Sequence, residues 1–324
     1  MSGRGAGSAA GRAAFHAARA LIALLALLPA RPSVAVAGWF GGLAARLGLL
    51  RGRVVRENLD IAFGDSMAPE EKRRVEIAAG KHLFMVAAEV VFLARRPVEW
   101  VDSIVVEVNE PEALAERATR RRGMVTFCGH FGNWEVGGAY ISRRFELHSF
   151  AKRLHDPQWQ DFVEGTRTRY GHRILYPGTS ALRTAIQILR ENGTVNMMID
   201  QDMGRAGVFV PFLGREASTT PFPALLAIRA GVPIRGALPI RLGPCRYRIE
   251  VLPAVDPADF EGDEDARAAA VMAALNEQLS ARIRLHPGQY FWVHRRWKTT
   301  RDEVDRKRAK AEERRAARRA AISG

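Results

Sequence analysis

From residue 97 onward the chain alternates short apolar runs, rich in β-branched and aromatic residues, with longer stretches of helical period. Runs at 104–108, 124–128, 147–151, 195–199, 234–240 and 247–252 have strand length, while 157–170, 180–190, 221–230 and 265–285 have helical character. A chain that switches period in this way does not build a helical bundle or an all-β sandwich. The alternation predicts an α/β fold, an αβα sandwich around one mixed sheet.

The part before residue 97 is of a different kind. Val75, Ala78, Ala79, Leu83, Val86, Ala87, Val90 and Leu93 recur at helical spacing, with Pro69 at a first-turn position and Pro97 as the stop, which predicts a helix over 69–96. Upstream, residues 13–50 are apolar apart from His16, Arg19, Arg31 and Arg46. The uncharged stretches 20–30 and 32–45 fall short of the ~20 residues of a spanning helix, and the second carries Pro32, Gly38, Gly41 and Gly42. A tilted or snorkelled span, or a helix lying in the membrane interface, is expected there. Arg4 and Arg12, an apolar core and the small residues at 34–37 also fit a secretory signal, although Arg31 and Pro32 interrupt its core. The expected division is a membrane anchor region at 1–50, one catalytic domain at 51–300 and a charge-dense tail at 301–324, the tail being a solvated helix or disordered.

A formal charge of +14 favours acidic partners such as anionic headgroups, nucleic acid or an acidic carrier protein. The two cysteines, Cys128 and Cys245, lack metal-ligand spacing, which argues against a disulfide framework and a zinc site. The arginine-rich tail is not accompanied by a nucleic-acid-binding fold signature, so no specific nucleic acid partner is expected.

The segment richest in chemistry is Gly129-His130-Phe131-Gly132-Asn133-Trp134-Glu135, directly after the run 124–128. A strand end is where α/β sheets place their sites. On one continuous helix His130 and Glu135 would stand about 140° apart. Gly129 and Gly132 instead permit a tight turn, with His130 at the strand end and Asn133 to Glu135 opening the next helix. Glu135 is then expected to reach back to one imidazole nitrogen and stabilise the imidazolium, with His130 taking a proton from an attacking hydroxyl. No Ser, Cys or Thr sits beside His130 in a nucleophile-elbow pattern, which points to direct transfer onto the substrate's own hydroxyl.

This segment resembles the His-x4-Asp/Glu motif of glycerolipid-type acyltransferases, and GHFGNWE is similar to the lauroyl and myristoyl transferases of late lipid A biosynthesis and to their relatives that acylate phosphatidylinositol mannosides. Further segments match in order: Asn58-Leu59 with Phe63, Arg167-Thr168-Arg169, the Asp200 to Gly204 turn followed by 208–214 and 217–220, and the stretch 290–298 with Trp292, His294, Arg295, Arg296 and Trp297. One departure is His155-Asp156-Pro157, where the family usually carries Asn before the proline.

The resemblance implies a glycerolipid-acyltransferase-like fold with an amino-terminal membrane-associated helix, placed at the cytoplasmic side of the inner membrane. It implies an acyl carrier protein or CoA thioester as donor, a phosphorylated glycolipid as acceptor, and neither cofactor nor metal. Arg167 and Arg169 read either as charges completing a helix end or as a guanidinium fork for a substrate phosphate. Asp200 and Asp202 read either as turn residues capping local backbone or as partners of an arginine or a sugar. Transfer to another membrane lipid such as a phosphatidylinositol mannoside or an amino-lipid, or a non-catalytic lipid- or nucleic-acid-binding role, are the competing functions.

Overall fold

The structure is a computed structural model and describes residues 28–110, 123–154, 156–178 and 180–323. The first 27 residues, which carry most of the expected anchor and signal segment, and His155 lie outside the described residues.

Helix α1 (Ala30–Arg46) is followed by α2 (Gly52–Phe63) and the long α3 (Pro69–Arg95). α1 packs along α3 through small residues. A Cβ added to Gly41 would lie 2.3 Å from the Gly80 carbonyl oxygen, and one on Gly80 would lie 2.6 Å from Ala45 Cβ, so the two backbones touch. The opposite side of the α1 segment leaves Val36, Trp39, Phe40, Leu47 and Leu49 exposed. Among the described residues α3 is long and apolar enough to cross a bilayer. Here it is a core helix, burying Met85, Val86, Phe92 and Leu93 together with the polar Glu76, His82 and Glu89.

A short helix α4 (Trp100–Ile104) leads into the sheet. Its strands are β1 (Val105–Val108), β2 (Met124–Cys128), β3 (Leu147–Phe150), β4 (His172–Leu175), β5 (Thr194–Met198), β8 (Ile234–Gly243) and β9 (Arg246–Val251), in the order β1-β9-β8-β2-β5-β3-β4. Every neighbouring pair is parallel except the hairpin of β8 and β9. The expected α/β class with a mixed sheet is therefore present, its parallel part carrying the centre. A separate antiparallel hairpin, β6 (Val208–Phe212) with β7 (Arg215–Thr219), lies outside it.

The connecting helices are α5 (Trp134–Ser142), α6 (Pro157–Arg169), α7 (Ala181–Arg190), α8 (Phe222–Ala230) and α9 (Glu264–Leu285). Asp156 caps α6, accepting from the backbone nitrogens of Gln158 and Trp159, so aspartate performs at this position the capping that asparagine also can. The tail is helical, α10 (Arg301–Ser323), with Val304 buried and Arg301 paired to Glu216.

The central strands show the period of two that places the site. On β2 Val125 and Phe127 are fully buried in the main core, and the alternate residues Met124, Thr126 and Cys128 face a cavity. β5 repeats this with Val195 and Met197 in the core and Asn196 and Met198 towards the cavity.

Candidate active site

β2 and β5 are adjacent, parallel and paired Cys128 to Met198, so residues two beyond each strand end meet. Those residues are His130 and Asp200. The Asp200 carboxylate holds His130 twice, accepting from its backbone nitrogen at 2.7 Å and lying 2.9 Å from ring Nδ1. With Nδ1–H donating to Asp200, the other ring nitrogen, Nε2, keeps its lone pair; Gln201 Nε2 approaches it at 3.4 Å. Burial opposes a charged ring, but the Asp200 carboxylate and its hydrogen bond outweigh it, and the His130 pKa stands above its ordinary value. Burial likewise opposes ionisation of Asp200, and the imidazole overrides it, so this carboxyl is held below the usual range.

The turn between β2 and α5 has little room to vary. Gly132 sits at φ +57°, and a Cβ there would lie 1.8 Å from the Pro239 carbonyl oxygen. A residue with a side chain cannot stand at that point. Phe291 N donates to the His130 carbonyl at 2.9 Å and Gly132 N to the Gln289 carbonyl at 3.0 Å, so the late segment 289–291 straps the turn in place. Phe291 and Trp134 also enclose the imidazole, with ring centroids 5.6 and 5.1 Å from it. Asn133 caps α5, its side-chain oxygen accepting from the nitrogens of Glu135 and Val136.

The direct contact expected between Glu135 and His130 is not present. From the first turn of α5 the Glu135 carboxylate points to α6, where Arg167 forks onto it at 2.6 and 3.0 Å and Trp134 Nε1 donates at 3.1 Å. Two physical facts redirect it. The parallel register delivers Asp200 to Nδ1 first, and the Asn133 cap fixes the direction in which α5 leaves the turn. Burial raises the Glu135 carboxyl, but the Arg167 guanidinium prevails and holds it below its usual value.

Of the expected site residues, His130, Glu135 and Arg167 line one cavity, and Asp200 is buried behind His130. Arg169 and Asp202 are engaged elsewhere. Arg169 donates to the carbonyls of Leu93, Ala94 and Arg96 and so closes the end of α3. Asp202 lies at the cavity rim, but its carboxylate accepts from the Thr299 hydroxyl at 3.0 Å, while its backbone nitrogen donates to His294 at 3.0 Å. Arg296 is 1% exposed and donates to the Ser218 carbonyl and the Thr219 hydroxyl, fastening the late segment to β7. Cys128 faces the cavity as a neutral thiol, pushed up to about 12 by burial, and does not supply a thiolate nucleophile.

The cavity measures about 680 Å³ and runs from His130 and Trp134 over the open face of β2, β5 and β3 to Ile174 and Leu182. Its walls are largely apolar, with one polar row on the floor: Thr126 donates to Asn196 at 3.1 Å, and Asn196 to Ser149 at 3.1 Å. A long apolar chamber with one imidazole lone pair at its mouth suits a reaction in which an alkyl chain is stored while its polar end reacts. Among the described residues no group of three or more acidic, histidine or cysteine side chains is placed to hold a metal ion.

Comparison with known proteins agrees with this chemistry. The sequence profile described as bacterial lipid A biosynthesis acyltransferase matches residues 8–299. The lipid A biosynthesis palmitoleoyltransferase of Escherichia coli K12 is 27% identical over 256 residues, covering 77% of this chain and 79% of that protein. The lauroyltransferase of the same organism is 26% identical over 268 residues, covering 80% and 83%. The phosphatidylinositol mannoside acyltransferase of Mycolicibacterium smegmatis is 28% identical over 187 residues, 54% of this chain and 57% of that one. The ordered motifs, the imidazole at the mouth of an apolar chamber and a profile match over most of the length lead to one conclusion: the chain is an acyltransferase and belongs to the bacterial lipid A biosynthesis acyltransferase family.

Proposed function

We propose that this acyltransferase moves a fatty acyl chain from an acyl carrier protein or CoA thioester to a hydroxyl of a phosphorylated, lipid A-type glycolipid, by direct transfer at His130. The observation that carries the reading is the unprotonated Nε2 of His130 on the wall of the 680 Å³ chamber, its ring fixed through Nδ1 by Asp200 and met at Nε2 only by the long 3.4 Å approach of the Gln201 amide. The chamber takes the acyl chain. The acceptor hydroxyl gives its proton to Nε2 as its oxygen attacks the thioester carbonyl, the C–S bond breaks, and the departing thiolate recovers the proton from Nε2. Asp200 stabilises the imidazolium formed in between. Glu135 acts one step removed, holding the Arg167 guanidinium at the cavity wall, where it can meet a phosphate or the thioester end of the donor.

The exposed Val36, Trp39, Phe40, Leu47 and Leu49 support attachment of the amino-terminal region to a bilayer, and the charge of +14 suits the anionic cytoplasmic face of an inner membrane and an acidic carrier. Residues 1–50 serve as the anchor region, 51–300 as the catalytic domain in an αβα arrangement, and 301–324 as a basic accessory helix.

The test is expression of the wild type and His130→Ala in a bacterium whose lipid A is under-acylated, with mass spectra of the extracted lipids. One added acyl mass on lipid A with the wild type alone is the expected result, and it also gives the chain length. A new acylated species elsewhere, such as a phosphatidylinositol mannoside, moves the acceptor and keeps the chemistry. Equal spectra from the two strains would overturn the assignment.

A further inference from the structure

Behind the reactive turn, away from the cavity, lies a buried cluster that takes no part in the steps above. Its centre is Glu89 of α3, fully buried at 0% exposure. Its carboxylate accepts two bonds of 2.7 Å from the Arg241 fork, one of 3.0 Å from Cys245 N, one from the Tyr247 hydroxyl and one of 2.8 Å from Asn133 Nδ2. Arg241 also donates from Nε to His82 Nδ1 at 3.1 Å, and His82 Nε2 lies 2.9 Å from the Gly132 carbonyl oxygen. None of Glu89, His82, Asn133, Arg241 or Tyr247 lines the 680 Å³ chamber.

These contacts leave one tautomer. Arg241 can only donate, so His82 Nδ1 must accept; the ring proton therefore sits on Nε2 and is donated to Gly132. Burial, the Arg241 charge and the geometry agree, for His82 is depressed to about 3 and stays neutral. The two groups that receive this arrangement are adjacent. Gly132 is the φ +57° residue of the turn, and Asn133 is the cap that sets how α5 departs. His130 stands two residues before Gly132, and Glu135 two after Asn133.

A buried ion pair is a poor device for stability alone, because the cost of desolvating both charges offsets much of their attraction, and apolar side chains of similar volume often do as well. Here the charges end on the two residues that aim the site. We propose that Glu89, Arg241 and His82 form a positioning relay: Arg241 sets the His82 tautomer, His82 holds the Gly132 carbonyl, and Glu89 holds the Asn133 cap, so that His130 and Glu135 stay aligned on Asp200 and Arg167. They are positioning residues: none lines the 680 Å³ chamber, and His82 meets the site only at a second, small pocket that it shares with His130 and Trp134. The proposal rests on His130 as the base of the acyl transfer, and its magnitude follows from the sensitivity of such reactions to placement, where about 1 Å can cost ~10²-fold in rate.

The relay is tested with the full-length enzyme as wild type, His82→Leu, His82→Gln and Arg241→Lys. Glutamine can keep a donor near the place of Nε2, whereas leucine cannot; lysine keeps the charge beside Glu89 but loses the fork and the Nε donor. Turnover, KM for both substrates and thermal midpoints are measured at a temperature where all variants are folded. His82→Leu should lose ~10²-fold in kcat with KM within about twofold, and His82→Gln should recover most of the loss. Arg241→Lys should show the same kcat-only pattern, about tenfold, and it decides the matter should His82→Leu fail to fold. Histidine ring 15N spectra give a readout independent of turnover: the His130 Nδ1–H signal seen in the wild type should move or broaden in His82→Leu and persist in His82→Gln. Unchanged kcat and an unchanged His130 signal, a loss confined to KM, or glutamine no better than leucine would each overturn the relay. A wild type that transfers no acyl chain would remove the assigned reaction alone, and the ring spectra would still judge the positioning.

Discussion

The reactive turn lies between two histidines, and the same side chain is driven in opposite directions on its two sides. In front, His130 meets the Asp200 carboxylate, so its protonated form is favoured and its pKa rises. Behind, burial first and then the Arg241 guanidinium penalise the protonated form of His82, which falls to about 3. Both rings are mostly buried, and in both burial alone would favour neutrality. The partner therefore decides whether a buried imidazole becomes a proton carrier or a fixed hydrogen-bond donor. In the proposed mechanism that difference separates the part of the site that changes charge during each turnover from the part that does not.

The contrast can be broken from either side. Removing the proton carrier has the largest expected effect: His130→Ala should lower kcat by about 10³-fold with the fold retained, read by initial rates and circular dichroism. Removing the charge behind it comes next. Asp200→Asn should cost ~10²-fold or more, and it should also move the acid limb of kcat/KM. In the wild type that limb lies above ~6.5, because the base must be deprotonated and its pKa is raised. In Asp200→Asn it should fall below that, since the charge and hydrogen bond that raise it are lost and burial is the largest cause left beside the opposed Glu135 and Arg167 charges; an unmoved limb would mean that another group titrates. Glu135→Gln should cost less, about tenfold, because it acts through the Arg167 geometry. A loss as large as that of His130→Ala would give Glu135 a direct role.

The smallest effect concerns stability. For His82 the folded-state pKa is depressed, so its contribution is present above ~6.5 and is lost as pH falls towards 3. Between pH 7 and pH 5 the wild type should lose about 2 kcal/mol more than His82→Gln in urea unfolding. His130 has the opposite sign, its contribution being full below ~6.5 and lost as pH rises through its raised value. A His82→Gln protein with the wild-type acid dependence would remove the contrast.

Sequence patterning reveals those parts of this molecule that are apolar and continuous. Six of the sheet strands stand out as runs of Val, Ile, Phe and Leu. β4 reads His-Arg-Ile-Leu and β7 reads Arg-Glu-Ala-Ser-Thr, so they lack the apolar content that marks a strand and form because neighbours pair with them. His130, Glu135, Arg167 and Asp200 are legible as candidates from their motifs. Their pairing is not, because it depends on which strands are neighbours: Asp200 reaches His130 across 70 positions through the β2–β5 register. The relay residues carry a fainter mark. Glu89 interrupts the apolar run of α3 on its buried side, as Glu76 does nearer the start of the helix, and a buried carboxylate in such a stripe asks for a cation beside it.

At Gly41 and Gly80 the backbones of α1 and α3 touch, with Lys81, Phe84 and Met85 of α3 packed over Gly38 and Gly41, so the two helices form one packed beam. That beam bears Trp39 and Phe40 on its outer side and His82 and Glu89 on its inner side. Under the proposed bilayer attachment, a membrane that grips the aromatic edge sets the height and tilt of the His130 turn through this helix pair rather than through a flexible tether.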